Sequence, residues 1–239
     1  MYKKKKIIAI IPARGGSKRL VNKNIKKLDG KPLIQWTINS ALSSKLIDKV
    51  YISTDSKKIK VISNKSGLNV FFMRPSSLAR DNSPTWKTVI HVLNKFKKMG
   101  EEFDYIVLLE PTSPLRGKKD IDRSIKKIID YPEAETLISL GKISLEHPLI
   151  SKKISIDGYV ESYFKKIKKI HQSQQLDKAY FPYGVIYISR VNAFYKKKTF
   201  YTNKTIPYYL KRWQNYEIDD LIDFKIVEYV MKIMRKKNG

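Results

Sequence analysis

Residues 6–11 read KIIAII and residues 13–24 read ARGGSKRLVNKN. A run that is apolar on both faces predicts a strand buried on both sides in a parallel sheet. The segment LDGKPLIQWTINSAL that follows has a turn at Asp29-Gly30, Pro32 at the first helical position, and apolar Ile34, Ile38 and Leu42 at helical spacing. Strand, glycine loop and helix is the expected order, and the alternation then repeats. VYISTD (50–55) reads as a strand, 56–66 as a helix, LNVFFM (68–73) as a strand and 84–99 as a helix. YIVLL (105–109) reads as a buried strand and 118–130 as a lysine-rich amphipathic helix. This rhythm predicts an α/β fold of parallel strands with helices on both faces, whose ligands lie beyond the carboxyl ends of the strands.

After TLISL (136–140) the rhythm changes. Residues 141–182 form an excursion, with a hairpin turn at Asp157-Gly158. GVIYIS (184–189) returns to the sheet, and IDDLIDFKIVEYVMKIMRKK is a closing helix that ends in cations, favourable at a helix C-terminus.

The loop after the first strand crowds Arg14, Lys18, Arg19 and Lys23 around Gly15 and Gly16. Like charges at this density repel unless an anion sits among them, and glycine lets main-chain N–H groups approach a phosphate. The loop is neither GxxxxGK[ST] nor GxGxxG. Its cations suit a triphosphate, whose charge must be partly neutralised before a nucleophile can approach. Other predicted strand ends carry Ser53-Thr54-Asp55, Arg74-Pro75 and Glu110-Pro111-Thr112-Ser113, which a parallel sheet gathers on one rim. Near the closing helix, Glu217 and Asp219 are two apart and share a face if extended. Two carboxylates facing a phosphate loop suit magnesium, which takes one or two carboxylates plus phosphate oxygens. The competing reading, a helix cap, fits Asp220 better than Asp219.

The formal net charge is +27, which alone would suit a nucleic-acid-binding protein. Forty of the 49 cations are lysines scattered from Lys3 to Lys237, however, the pattern of solvated helix faces. With no cysteine, a disulfide framework and a thiolate zinc site are both excluded. The apolar stretch near the start is too short to span a bilayer and lacks a cleavage pattern. The expectation is a soluble cytoplasmic protein without membrane partners.

In order along the chain, IIAIIPARGGSKRLVNKNIKKLDGKPLIQWTI, YISTD, MRPSSLARD, LLEPTSPLR and YEIDDLIDF resemble the motifs of the CMP-sialic acid synthetase family, the acylneuraminate or nonulosonate cytidylyltransferases. The resemblance spans about residues 6–230. It implies transfer of CMP from CTP to the anomeric hydroxyl of a 2-keto-3-deoxy sugar acid, with release of pyrophosphate. It also implies a three-layer Rossmann-like nucleotidyltransferase fold with a mainly parallel sheet. Residues 1–140 and 183–239 would form that domain, and 141–182 a small protruding dimerisation lobe that reaches into the partner's site in a homodimer.

Carried over by position, the resemblance gives Arg14, Gly15, Ser17 and Lys18 to the CTP phosphates, with Lys23 nearest the reacting α-phosphate. Asn24, Arg74 and Thr85 fall to the base, and Glu110, Thr112, Ser113, Phe181 and Tyr183 to the sugar. Asp219, with Glu217, would hold Mg2+. Lys23, Arg14 and Asp219 are the catalytic candidates.

This chain departs from the family pattern in its sugar-facing residues. Glu217 stands where an aspartate is common, and Glu110 where sialate enzymes have glutamine. In SQQLDKAYFPYG (173–184), Ser173, Phe181 and Tyr183 replace two arginines and an asparagine. A site built to hydrogen-bond a group rejects analogues lacking it. These changes therefore point away from N-acetylneuraminate, toward legionaminate, pseudaminate or an octulosonate-like acid. Packing at the lobe is the other reading of Phe181 and Tyr183. A cytidylyltransferase for 3-deoxy-octulosonate and a basic nucleic-acid-binding protein stand as the alternative functions.

Overall fold

The computed structural model describes residues 2–143, 146–164 and 176–238. Strand β1 (Ile7–Pro12) leads through the cationic loop to a two-residue pair, β2 (Lys27–Leu28) and β3 (Lys31–Pro32). Asp29 and Gly30 close that pair at φ 49° and 81°, the left-handed turn expected of an Asp-Gly step. Helix α1 (Leu33–Leu42), strand β4 (Lys49–Ser53) and helices α2 (Lys57–Lys65) and α3 (Thr85–Lys98) follow. Next come β5 (Tyr105–Leu108), α4 (Asp120–Ile129), β6 (Thr136–Lys142) and a separate hairpin, β7 (Lys152–Ile154) with β8 (Val160–Ser162). The chain closes with β9 (Tyr180–Arg190), α5 (Val191–Lys197), β10 (Thr205–Tyr209) and α6 (Leu221–Asn238).

Six strands form the central sheet in the order β10-β6-β9-β5-β1-β4. Pairings of β4 and β5 with β1, and of β10 with β6, are parallel, whereas β9 runs antiparallel to both its neighbours. All five residues Ile7–Ile11 of β1 are fully buried, so both faces of the sheet are covered. Ile34 and Ile38 of α1, Val89, Val92 and Phe96 of α3, and Ile125 and Ile128 of α4 join them in one core. The sheet reaches further than the repeating pattern suggests. Gly141 and Lys142 of β6 pair with Phe181 and Tyr180 of β9, so both ends of the predicted lobe belong to the central sheet. The Asp157-Gly158 turn is where expected, with Gly158 at φ 82°.

One predicted strand is absent. Residues 68–73 form no ladder, because side chains take their backbone groups instead. The Tyr51 hydroxyl donates to the Phe72 carbonyl at 2.6 Å and accepts from the Phe72 N–H at 3.1 Å, and the Val70 N–H donates to Asn64 Oδ1 at 3.3 Å. Phe72 stacks on Tyr51 with ring centroids 4.5 Å apart. Strand β10 and helix α5, conversely, lie in a stretch where no element was expected.

Replacing Tyr51 with phenylalanine keeps the ring and removes both bonds to Phe72. Leaving those backbone groups unpaired should cost about 2 kcal/mol in denaturant unfolding. A loss below about 0.5 kcal/mol would mean that the hydroxyl does not hold this segment.

Candidate active site

A cleft of about 680 Å³ opens at the carboxyl rim of β1, β4 and β5. A second, smaller core fixes its walls: Leu20, Leu28, Leu33, Leu115, Ile218, Phe224 and Val227 pack together. Leu20 sits inside the cationic loop, Leu115 inside PTSPLR, and Ile218 between the two carboxylates predicted to ligate metal. Ile218 is fully buried and its N–H donates to the Thr112 carbonyl at 2.8 Å. Its burial turns Glu217 and Asp219 together into the cleft.

Arg14, Ser17, Lys18, Arg19 and Lys23 line one side. The Lys23 ammonium, only 13% exposed, donates to the Ile218 carbonyl at 2.7 Å and sits 3.2 Å from Asp219 Oδ1. Arg19 Nη1 donates to Asp219 Oδ2 at 2.8 Å. Lys18 pairs with Asp81 at 2.6 Å, and Arg14 pairs with the same carboxylate. Asn24 is buried and braces the loop by donating to the Arg14 carbonyl at 3.0 Å.

The facing wall is acidic. Glu110, Thr112, Glu217 and Asp219 line it. Burial, and then the charge of Glu217, push the Glu110 carboxyl up to about 7. Its position is set by Gly184, where an added Cβ would overlap the Glu110 carboxylate. Glu217 accepts hydrogen bonds from the Ser113 hydroxyl at 2.7 Å and from the Gly184 N–H. Underneath lies Arg116, the last residue of PTSPLR. It donates to the carbonyls of Val185 at 2.7 Å and Glu110 at 2.6 Å and to Thr37 Oγ1 at 2.8 Å, and burial pulls its guanidinium down to about 9.

The third side is the N-terminus of α3, where Ser83, Thr85 and Thr88 line the cleft beside Arg74 and Arg80. Arg74 is buried, donates from Nε to Ser53 Oγ at 3.1 Å, and is lowered to about 10 by burial. The Ser83 hydroxyl is buried and makes no hydrogen bond among the described residues. Such a group at a helix N-terminus offers a donor to an incoming ligand.

Eleven of the predicted site residues thus share one cleft, and four do not line it. The Gly15 N–H donates to Asp55 Oδ1 at 2.9 Å. Ser113 is fully buried, and its hydroxyl holds Glu217. Phe181 and Tyr183 pack edge to face on β9 with centroids 5.1 Å apart, Phe181 half exposed and Tyr183 against the main core. Ser173 lies outside the described residues. Asp220, as expected, caps α6 by accepting from the N–H groups of Ile222 at 2.8 Å and Asp223 at 3.0 Å. Sequence reasoning missed Arg80, Asp81, Ser83 and Arg116. Arg80, Asp81 and Arg116 lie in motifs it singled out and Ser83 lies two residues past one, and Arg116 alone carried a further signal, an arginine enclosed by Leu115 and Gly117.

The cytidylyltransferase family profile matches residues 8–237. The chain belongs to that family, and with it to the CTP-dependent nucleotidyltransferases. It is 35% identical over 231 residues to the CMP-N,N'-diacetyllegionaminic acid synthase of Legionella pneumophila, covering 95% of this chain and 97% of that one. It is 31% identical to the N-acylneuraminate cytidylyltransferase of Escherichia coli over 98% of this chain and 53% of that one, and so spans about half of that relative. The solved structure of CMP:2-keto-3-deoxy-manno-octonic acid synthetase complexed with CTP superposes with a TM-score of 0.70 at 18% identity, covering 96% of this chain and 99% of that one. That last likeness is one of fold.

The raised Glu110 carboxyl makes a pH prediction. Between its ordinary 4.5 and about 7 the folded protein keeps a proton that the unfolded chain has lost. Stability therefore falls as pH rises through that window and levels off above it. Glu110→Gln should flatten this part of the stability–pH curve in denaturant titrations. Parallel curves for the two proteins would show that Glu110 titrates normally.

Proposed function

We propose that this chain transfers the cytidylyl group of CTP to the anomeric hydroxyl of a nonulosonic acid of the diacetyllegionaminate type, releasing pyrophosphate. One observation carries the reading: four cations of a single loop face three carboxylates, Glu110, Glu217 and Asp219, across one cleft at the carboxyl rim of the sheet. The sugar class is supported by the 35% identity to the diacetyllegionaminic acid synthase, over 97% of that chain. It is also supported by Glu110, which lines the cleft where sialate enzymes have glutamine.

In this reading Arg14 and Lys18 take the outer phosphates, and Lys23 meets the charge that builds on the α-phosphoryl oxygens as the sugar hydroxyl attacks in line. Lys23 is pre-positioned for this by its bond to the Ile218 carbonyl. Asn24, Arg74 and Thr85 recognise the base, with Ser83 adding an unpaired hydroxyl. No group of three or more His, Cys, Asp or Glu among the described residues could hold a metal by itself. The donor set nevertheless fits magnesium, because Asp219 remains largely exposed and two hard carboxylates need only phosphate oxygens to complete a site. Glu217 and Asp219 would hold the ion, which when bound adds positive charge at the reacting phosphate.

Thr112 and Glu110 are the sugar-side groups of the cleft. Further sugar contacts would come from a second copy of the chain, in a homodimer built through the lobe. The β7–β8 hairpin supports this, since Ile154, Ile156, Tyr159, Val160 and Tyr163 are all exposed there. No helix among the described residues is long and apolar enough to cross a membrane, and a cytoplasmic setting is part of this proposal because the reaction draws on CTP.

Pyrophosphate release, followed with CTP, magnesium and a panel of N-acetylneuraminate, diacetyllegionaminate, pseudaminate and 3-deoxy-octulosonate, tests this. Turnover should be greatest with the legionaminate, and Lys23→Ala should lower kcat far more than it raises KM. Preference for N-acetylneuraminate would overturn the sugar assignment. Specific activity that persists on dilution to a sedimenting monomer would remove the second copy from the site.

A further inference from the structure

Two carboxylates divide the four cations of the loop between them. Asp219 takes Arg19 and Lys23, and Asp81 takes Arg14 and Lys18. The two carboxylates have different surroundings. Asp219 lies beside Glu217 on the acidic wall, and Lys23 is nearly buried against it. Asp81 comes from the other side, on the stretch between the short turn Ser76–Leu78 and α3. Its carboxylate pairs with the two cations, which hold it below the ordinary range. It caps no helix and braces no backbone group among those bonds, and Lys18 is 82% exposed.

We infer that Asp81 is an internal counter-ion of the phosphate cradle, occupying Arg14 and Lys18 when no nucleotide does and yielding them to the outer phosphates of CTP. The inference rests on the cytidylyltransferase reading and assigns Asp81 a part in the same site. Arg14 and Lys18 cannot satisfy Asp81 and a polyphosphate equally, because both anions compete for the same N–H donors. Phosphate oxygens carry more charge than one carboxylate and win that competition. Exposed ion pairs are weak, so Asp81 gives way at modest cost. The cost still appears twice: it weakens CTP binding, and it helps pyrophosphate leave, since departing phosphates are replaced by a carboxylate already within reach.

Substituting Asp81→Asn keeps the size and removes the charge. CTP affinity by calorimetry and inhibition by inorganic pyrophosphate should both tighten, each by about 3- to 10-fold, as expected for losing two exposed ion pairs. Asp81→Glu should restore values close to wild type. Tighter binding is the discriminating readout, because a residue that merely anchored its loop would weaken both ligands when replaced. Unchanged or weaker binding of CTP and pyrophosphate by a folded Asp81→Asn protein overturns the inference. Failure of the underlying reading looks different: wild-type protein would bind no CTP at all, and the inference would fall with it.

Discussion

The cleft depends on one buried guanidinium. Arg116 reaches the Glu110 carbonyl in the loop after β5, the Gly184 and Val185 carbonyls of β9, and Thr37 of α1, and so ties three elements at the point where the sheet reverses direction. A lysine could not do this, because only the planar fork presents several N–H groups in fixed directions. Gly184, held at its carbonyl, offers its N–H to Glu217 and leaves room beside its Cα for Glu110. The acidic wall is therefore arranged by a cation that never enters the cleft, and a buried charge of this kind is tolerated because its donors are matched to acceptors.

Charge explains the rest of the site. A net +27 spread mostly as lysine suggests a polyanion-binding surface, yet the cations that matter are few and already answered. Each of the four loop cations faces a carboxylate, and on the opposite wall burial, with the nearby charge of Glu217 added, pushes Glu110 toward neutrality. A triphosphate bearing a divalent cation fits such a cleft because it brings both signs of charge at once. A bare nucleic-acid backbone would bring only one, and the acidic wall would oppose it.

Much of this was legible in the sequence. The fully buried β1, the Asp-Gly turns and the spacing of Glu217 and Asp219 around an inward Ile218 all follow from periodicity and turn chemistry. Residues 68–73 misled because their strand-like composition carries no sign that the Tyr51 hydroxyl would take their backbone groups. Strand β9 reads as any buried strand, and its antiparallel insertion is a property of topology. Ser113, Phe181 and Tyr183 lie in motifs whose family resemblance suggested sugar contact, but the structure assigns Ser113 to Glu217 and packs the two aromatic rings against each other. Asp81 and Ser83 went unweighed because polar turn residues before a helix usually serve as caps.

A cationic loop that holds the triphosphate of CTP must make the phosphates dominate affinity. Calorimetric titration of the wild-type protein with CTP and with CMP, at one salt concentration, asks this directly, since the two ligands share base and ribose and differ only in what the loop would grip. CTP should bind at least about 10-fold more tightly, a difference of about 1.4 kcal/mol that the loop cations must supply. Equal affinities would mean that Arg14, Lys18 and Lys23 serve some other purpose.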